Sequence, residues 1–63
     1  MTTQEKKNLI INMLDTHSSV TVSQLSEIFR ISDVSVRKLL AAMEQEGLVK
    51  RTWGGAISAY GSL

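Results

Sequence analysis

Residues 21–47 read TVSQLSEIFRISDVSVRKLLAAMEQEG. Thr21 and Gln24 form a T-x-x-Q capping box, in which each side chain satisfies a backbone N–H at a helix start. Leu25, Ile28 and Phe29 then make one apolar face, so a helix of about two turns over 22–29 is expected. Only Arg30 and Ile31 separate it from Ser32, a good N-cap residue with Ser35 three places on. Two helices joined by so short a turn must cross steeply, which is helix-turn-helix geometry.

The next helix is expected over 33–46. At ~100° per residue, Val36, Leu40 and Met43 share one face, while Val34, Arg37, Lys38, Ala41 and Gln45 lie roughly opposite. The polar side is the exposed side. Gly47 then supplies the left-handed residue that ends such a helix.

Upstream, residues 5–16 place Leu9, Ile10, Met13 and Leu14 at helical spacing, giving a first amphipathic helix with His17 just after its last turn. Val20–Val22 reads as a short strand fragment that must pair elsewhere. Downstream, LVKRT reads as a strand, WGG as a turn whose glycines tolerate positive φ, and AISAY as a returning strand with Ile57 inward. The hairpin spans about 48–60, and the Val20–Val22 fragment can complete its sheet. The expected fold is mainly α with a small β-hairpin: a winged helix-turn-helix of three helices and a two- or three-stranded antiparallel sheet, in one domain over 1–63.

A chain of 63 residues buries only about 60% of its unfolded surface. So thin a core leaves little interior in which to desolvate catalytic groups, and surface recognition is the better expectation. With no cysteine, neither a disulfide framework nor a thiolate metal site holds the fold. No apolar run approaches the ~20 residues that span a bilayer, and the N-terminus lacks a signal-peptide cleavage site. A soluble, cytoplasmic protein is expected. Net charge is only +1, so distribution carries any case for an anionic partner. The cations are grouped as Lys6-Lys7, Arg30, Arg37-Lys38 and Lys50-Arg51, with Glu44 and Glu46 late in the helix that holds Arg37.

The stretches LIINML…SSVTVSQLSEIF, ISDVSVRKLL and EQEGLVKRTWGGA together resemble the N-terminal winged helix-turn-helix domain of DeoR-type bacterial transcription regulators. The resemblance runs without a gap from about Lys7 to Ala56. That family's helix signature has the form S-x-x-[ST]-[IV]-R-[RK]-D-L, followed by E-x-x-G-L-[LIV]-x-R and a His-Gly-Gly-Ala wing. Here it is matched by Ser32, Ser35, Val36, Arg37, Lys38 and Leu40, then by Gly47, Leu48, Arg51, Gly54, Gly55 and Ala56. Four positions depart from it: Leu39 replaces an aspartate, Trp53 a histidine, and Arg30 and Ser18 each a glycine. The resemblance also implies a C-terminal sugar-phosphate-sensing domain that this chain does not contain. The chain is then an excised domain or a small stand-alone protein, and the abrupt YGSL ending favours truncation.

The residues themselves suggest how such a module would bind double-stranded DNA. Arg can make paired hydrogen bonds to guanine O6 and N7 in the major groove, and Lys can reach the same edge or a phosphate. Arg37 and Lys38 sit near the N-terminal end of the third helix, the part that reaches bases in helix-turn-helix docking. Ser32 and Ser35 cap the helix and can also donate to a phosphate, which the free N–H groups of that helix end also attract. Asp33 stabilises the helix dipole and can accept from a cytosine amino group, and Val34 completes the exposed first turn. Lys50, Arg51, Trp53, Gly54 and Gly55 form a wing that can lie along the backbone or enter the minor groove. Trp53 is read first as packing, because it buries so much apolar surface.

An enzyme is not expected. His17 has no ligand partner at metal spacing, Asp15 has no nucleophile motif beside it, and Met13 and Met43 fall on core faces. No cofactor and no small-molecule site are expected, and affinity would come from a homodimer formed through a region absent from this chain. The competing reading is a winged-helix adaptor that binds protein through Leu39, Val34 and Trp53.

Overall fold

The computed structural model describes residues 1–59. The elements are α1 (Thr3–His17), β1 (Ser19–Thr21), α2 (Val22–Phe29), α3 (Asp33–Gln45), β2 (Val49–Thr52) and β3 (Gly55–Ser58). The three helices and a three-stranded antiparallel sheet in the order β1-β3-β2 make a winged helix-turn-helix. The end of the hairpin expected at Tyr60, and the YGSL ending, lie outside the described residues. Among the described residues no helix is long and apolar enough to cross a membrane.

Local chemistry sets each boundary. Thr21 Oγ1 accepts from the Gln24 N–H at 3.0 Å while Gln24 Oε1 accepts from the Thr21 N–H at 3.0 Å, closing the expected capping box. Thr21 is also the last residue of β1, so the strand turns into α2 with no linker and Val22 is helical rather than extended. A second box starts α1 earlier than its apolar spacing suggests: Thr2 caps Glu5 at 3.1 Å and Glu5 accepts from the Thr2 N–H at 2.7 Å. Gly47 at φ +80° ends α3, and the Gly47 and Leu48 N–H groups donate back to Glu44 O and Met43 O at 3.0 Å each. That pair of bonds satisfies carbonyls the helix would leave orphaned.

The core is Ile10, Leu14, Val20, Val22, Leu25, Val36, Leu40, Met43, Val49 and Ala56. The expected face of α3 is all there. On α2, Val22 and Leu25 are buried and Phe29 packs partly against them, whereas Ile28 is 47% exposed, contrary to expectation. Positions 22, 25 and 29 keep helical spacing, and position 28 falls off that stripe. Ile57 is also turned outward, at 37% exposure, while Ala56 is fully buried. Register explains this. Ala56 pairs with Val20 and Arg51, so that row faces the helices, and Ile57 pairs with Ser19 and Lys50 on the outer face.

Both sites where a family glycine is replaced have left-handed backbone: Ser18 at φ 69° after α1 and Arg30 at φ 56° after α2. A side chain in this region costs roughly 1–2 kcal/mol. Ser18→Gly and Arg30→Gly are each expected to stabilise the protein by about 1 kcal/mol, raising the melting midpoint by about 4–8 °C in a domain this small. Thermal melts followed by circular dichroism check this. An unchanged midpoint would mean that the side chains at 18 and 30 repay their strain.

Candidate nucleic-acid interface

Three features position α3 on the surface. Its buried stripe of Val36, Leu40 and Met43 fixes which side faces the core. Ser26 stitches the turn before it: Ser26 O accepts from the Arg30 and Ile31 N–H groups, and Ser26 Oγ donates to Ile31 O at 2.7 Å. At the helix start, Ser32 Oγ accepts from the Ser35 N–H at 3.1 Å and lies 3.1 Å from Ser35 Oγ.

The first turns of α3 therefore project an exposed set: Ser32, Asp33, Val34, Ser35, Arg37 and Lys38. Val34 is 59% exposed although apolar. Among the described residues there are two ion pairs, Lys7–Glu46 and Arg51–Glu44, and neither involves Arg37 or Lys38. Both cations are thus available to an anionic partner. Leu39 is half-buried and packs on the core.

The wing divides differently from its sequence order. Lys50 and Arg51 are adjacent in sequence but lie on opposite faces of the sheet. Lys50 is on the outer face, in the row with Ile57. Arg51 faces α3, where its N–H donates to Glu44 Oε2 at 2.9 Å and its Nε lies 3.3 Å from Glu44 Oε1. Arg51 thus anchors the wing to α3 as well as supplying charge. This contact was not legible from spacing, because the chain reverses at Gly47 between the two residues. Lys7, grouped with Lys6 in sequence, is likewise engaged, its Nζ 2.9 Å and 3.1 Å from the Glu46 carboxylate oxygens.

The two wing glycines do different work. Gly54 adopts φ +82° with open space around it, as expected of a turn residue. Gly55 is not a turn glycine: it lies buried in β3, where an added Cβ would meet the Val20 carbonyl oxygen, so its bare backbone is what lets β1 and β3 approach. Trp53, expected to pack, is completely exposed at 102%. The core closes without it. Arg37 and Leu40 of α3 and residues 51–55 of the wing, with Val22, line a groove of about 430 Å³ between helix and hairpin. His17 ends α1, and among the described residues no three of His, Cys, Asp or Glu converge as metal ligands would.

Donation from the Arg51 backbone N–H, aided by the Arg51 side chain, holds the Glu44 carboxyl below its ordinary pKa. A carboxylate with a lowered folded-state pKa stabilises the fold above its ordinary pKa, and that contribution is lost as pH falls through the folded value. The melting midpoint of Glu44→Gln is therefore expected to fall less steeply than that of the wild type between neutrality and about pH 3. Identical slopes in the two proteins would show that this contact carries no energetic weight.

The DeoR-like helix-turn-helix domain model matches residues 6–60. The chain belongs to the DeoR-like helix-turn-helix family. Its relatives include the HTH-type transcriptional regulator GolR of Listeria innocua, 40% identical over 53 residues, which are 84% of this chain and 21% of that protein. A putative aga operon transcriptional repressor of Escherichia coli O157:H7 is 38% identical over 55 residues, 87% of this chain and 20% of its own length. A putative galactitol utilization operon repressor of Escherichia coli K12 is 36% identical over 56 residues, 89% of this chain and 50% of its own length. The chain thus spans about a fifth of the first two and half of the third. No solved structure matches it significantly. As a DeoR-like helix-turn-helix domain whose relatives are named as transcriptional regulators and repressors, the chain is a DNA-binding module.

Proposed function

We propose that this DeoR-like domain reads double-stranded DNA sequence-specifically for a transcription regulator, with α3 in the major groove and the wing on the backbone or in the minor groove. The observation that carries this is the exposure of Arg37 and Lys38, which make no ion pair among the described residues, outside the buried stripe of α3. In this reading Arg37 bonds a guanine edge and Lys38 a base or phosphate. Ser32, Ser35 and the helix N-terminus hold a phosphate, and Asp33 and Val34 flank the base contacts. Lys50 and Arg51 meet the backbone from the two faces of the wing.

One half-site of this size buries only about 600–1,000 Å², so pairing of two copies, through a region this chain does not contain, supplies the affinity. The adaptor reading is weaker because Leu39, one of its three apolar contacts, is packed against the core.

Selection of bound duplexes from a random pool, followed by salt titration of the winners, tests the proposal. Lys50→Ala is expected to weaken all bound sequences alike and to lower the salt slope by about 1. Failure of the wild type to retain any duplex in a salt-dependent way would overturn the reading.

A further inference from the structure

Among the described residues, Trp53 is the most exposed large apolar side chain, and the core does not use it. The backbone beneath it is fastened. Thr52 pairs with Gly55 across the turn, and Gly54 O accepts from the Val22 N–H at the start of α2 at 2.8 Å. The lone indole of the chain thus projects from a fixed base and lies outside the core cluster. It borders the same groove as Arg37, so a single duplex lying along that side can meet both. Solvating so large an apolar ring is unfavourable, and aromatic anchors of this kind dominate binding surfaces.

We propose that Trp53 is the minor-groove reader of this domain, its ring pressed into the groove beside the segment held by α3 and its Nε1–H donating to adenine N3 or thymine O2. The proposal rests on the DNA-reading function above and adds to it one residue, one groove and one base class. The minor groove presents only acceptors at A·T pairs, whereas G·C pairs add the guanine N2 amino group, which crowds and repels a second donor. Apolar side chains already serve as wedges in that groove in other architectures. Trp53 stands where the family pattern has histidine, so the preference belongs to this chain rather than to the family at large. Both wing cations, Lys50 and Arg51, sit on β2 below the turn and are assigned above to the DNA backbone, which leaves the indole as the large side chain at the tip itself.

The lone tryptophan makes the test optical. Duplexes selected by the wild-type chain are added at low salt while indole emission and acrylamide quenching are followed. A blue shift and protection from acrylamide are expected, and Trp53→Ala should lose on the order of 30-fold in affinity with an unchanged melting midpoint. Replacing A·T by G·C under the wing should weaken wild-type binding. Replacing those G·C pairs by inosine·C, which deletes only the minor-groove amino group, should restore it, and Trp53→Ala should be indifferent to both changes. Unchanged emission on a duplex that the wild type holds and Arg37→Ala does not would overturn this inference and leave the DNA-reading function standing. A blue shift that ignores the inosine exchange would overturn the minor-groove assignment. The absence of any salt-dependent complex would instead remove the function beneath it.

Discussion

Gly55→Ala is expected to cost about 3 kcal/mol or more in stability and to lower the melting midpoint by more than ~12 °C. The reason is steric and lies in backbone alone. A Cβ at position 55 would run into the Val20 carbonyl oxygen and press on Thr21 Cα, and neither atom is the end of a flexible side chain. Relief requires β1 to separate from β3, and β1 leads directly into α2, so the damage spreads to the helix-turn-helix. Gly54→Ala is the internal control. With open space around it and φ +82°, it should cost only about 1–2 kcal/mol, the penalty of a left-handed backbone. Thermal and urea melts of the two variants measure both. Equal losses would mean that conformation, rather than the close approach of two strands, governs the pair.

Arg37→Ala is expected to leave folding intact and to lower DNA affinity by about 1–3 kcal/mol, all of it at one base position. That corresponds to roughly 5- to 150-fold. The side chain is exposed and pairs with no carboxylate among the described residues, so its removal breaks no described ion pair. Titrating a selected duplex and its single-base variants gives the position: the wild type should discriminate there, and the variant should not. A loss spread evenly over every sequence would place Arg37 on a phosphate instead of a base edge.

What could be read from the residues follows the range over which the physics acts. The caps at Thr21 and Ser32 and the reversal at Gly47 are local, with the needed partners no more than five residues away, and each is found in the structure. The Thr2–Glu5 box was equally local. Its T-x-x-E signal lies ahead of Leu9, outside the stretch that carries the apolar periodicity of α1. The exposed side of α3 was legible because a thirteen-residue helix repeats its stripe several times. Helix α2, with eight residues, repeats it barely twice, and Ile28 was assigned to the wrong side.

Non-local facts were not legible. Which of Ala56 and Ile57 faces the core depends on register against β1, and that register is set by the close fit of Gly55 to Val20. The pairing of Arg51 with Glu44 depends on the hairpin folding back over α3. Trp53 is set by a negative condition: among the described residues the core is built from other side chains, and the indole lies outside it. The resemblance to DeoR-type regulators pointed to DNA binding, and the helical spacing of α3 pointed to Arg37 and Lys38 as its candidate contacts. At the wing it could not say which of two adjacent cations is already occupied by a carboxylate.

The junction at Thr21, where one residue both finishes β1 and caps α2, joins with the Val22–Gly54 bond to weld the hairpin to the helix pair. Such a body has a ruler's fixed length. In the proposed docking, one extra base pair between the parts addressed by α3 and by the hairpin turns the second part by roughly 35° about the duplex axis, which works against the bond that ties the hairpin turn to α2. With α3 and the wing placed on DNA as proposed above, the domain would measure distance along the duplex as well as composition, and one-pair insertions at that point are expected to be as harmful as losing a contacted base.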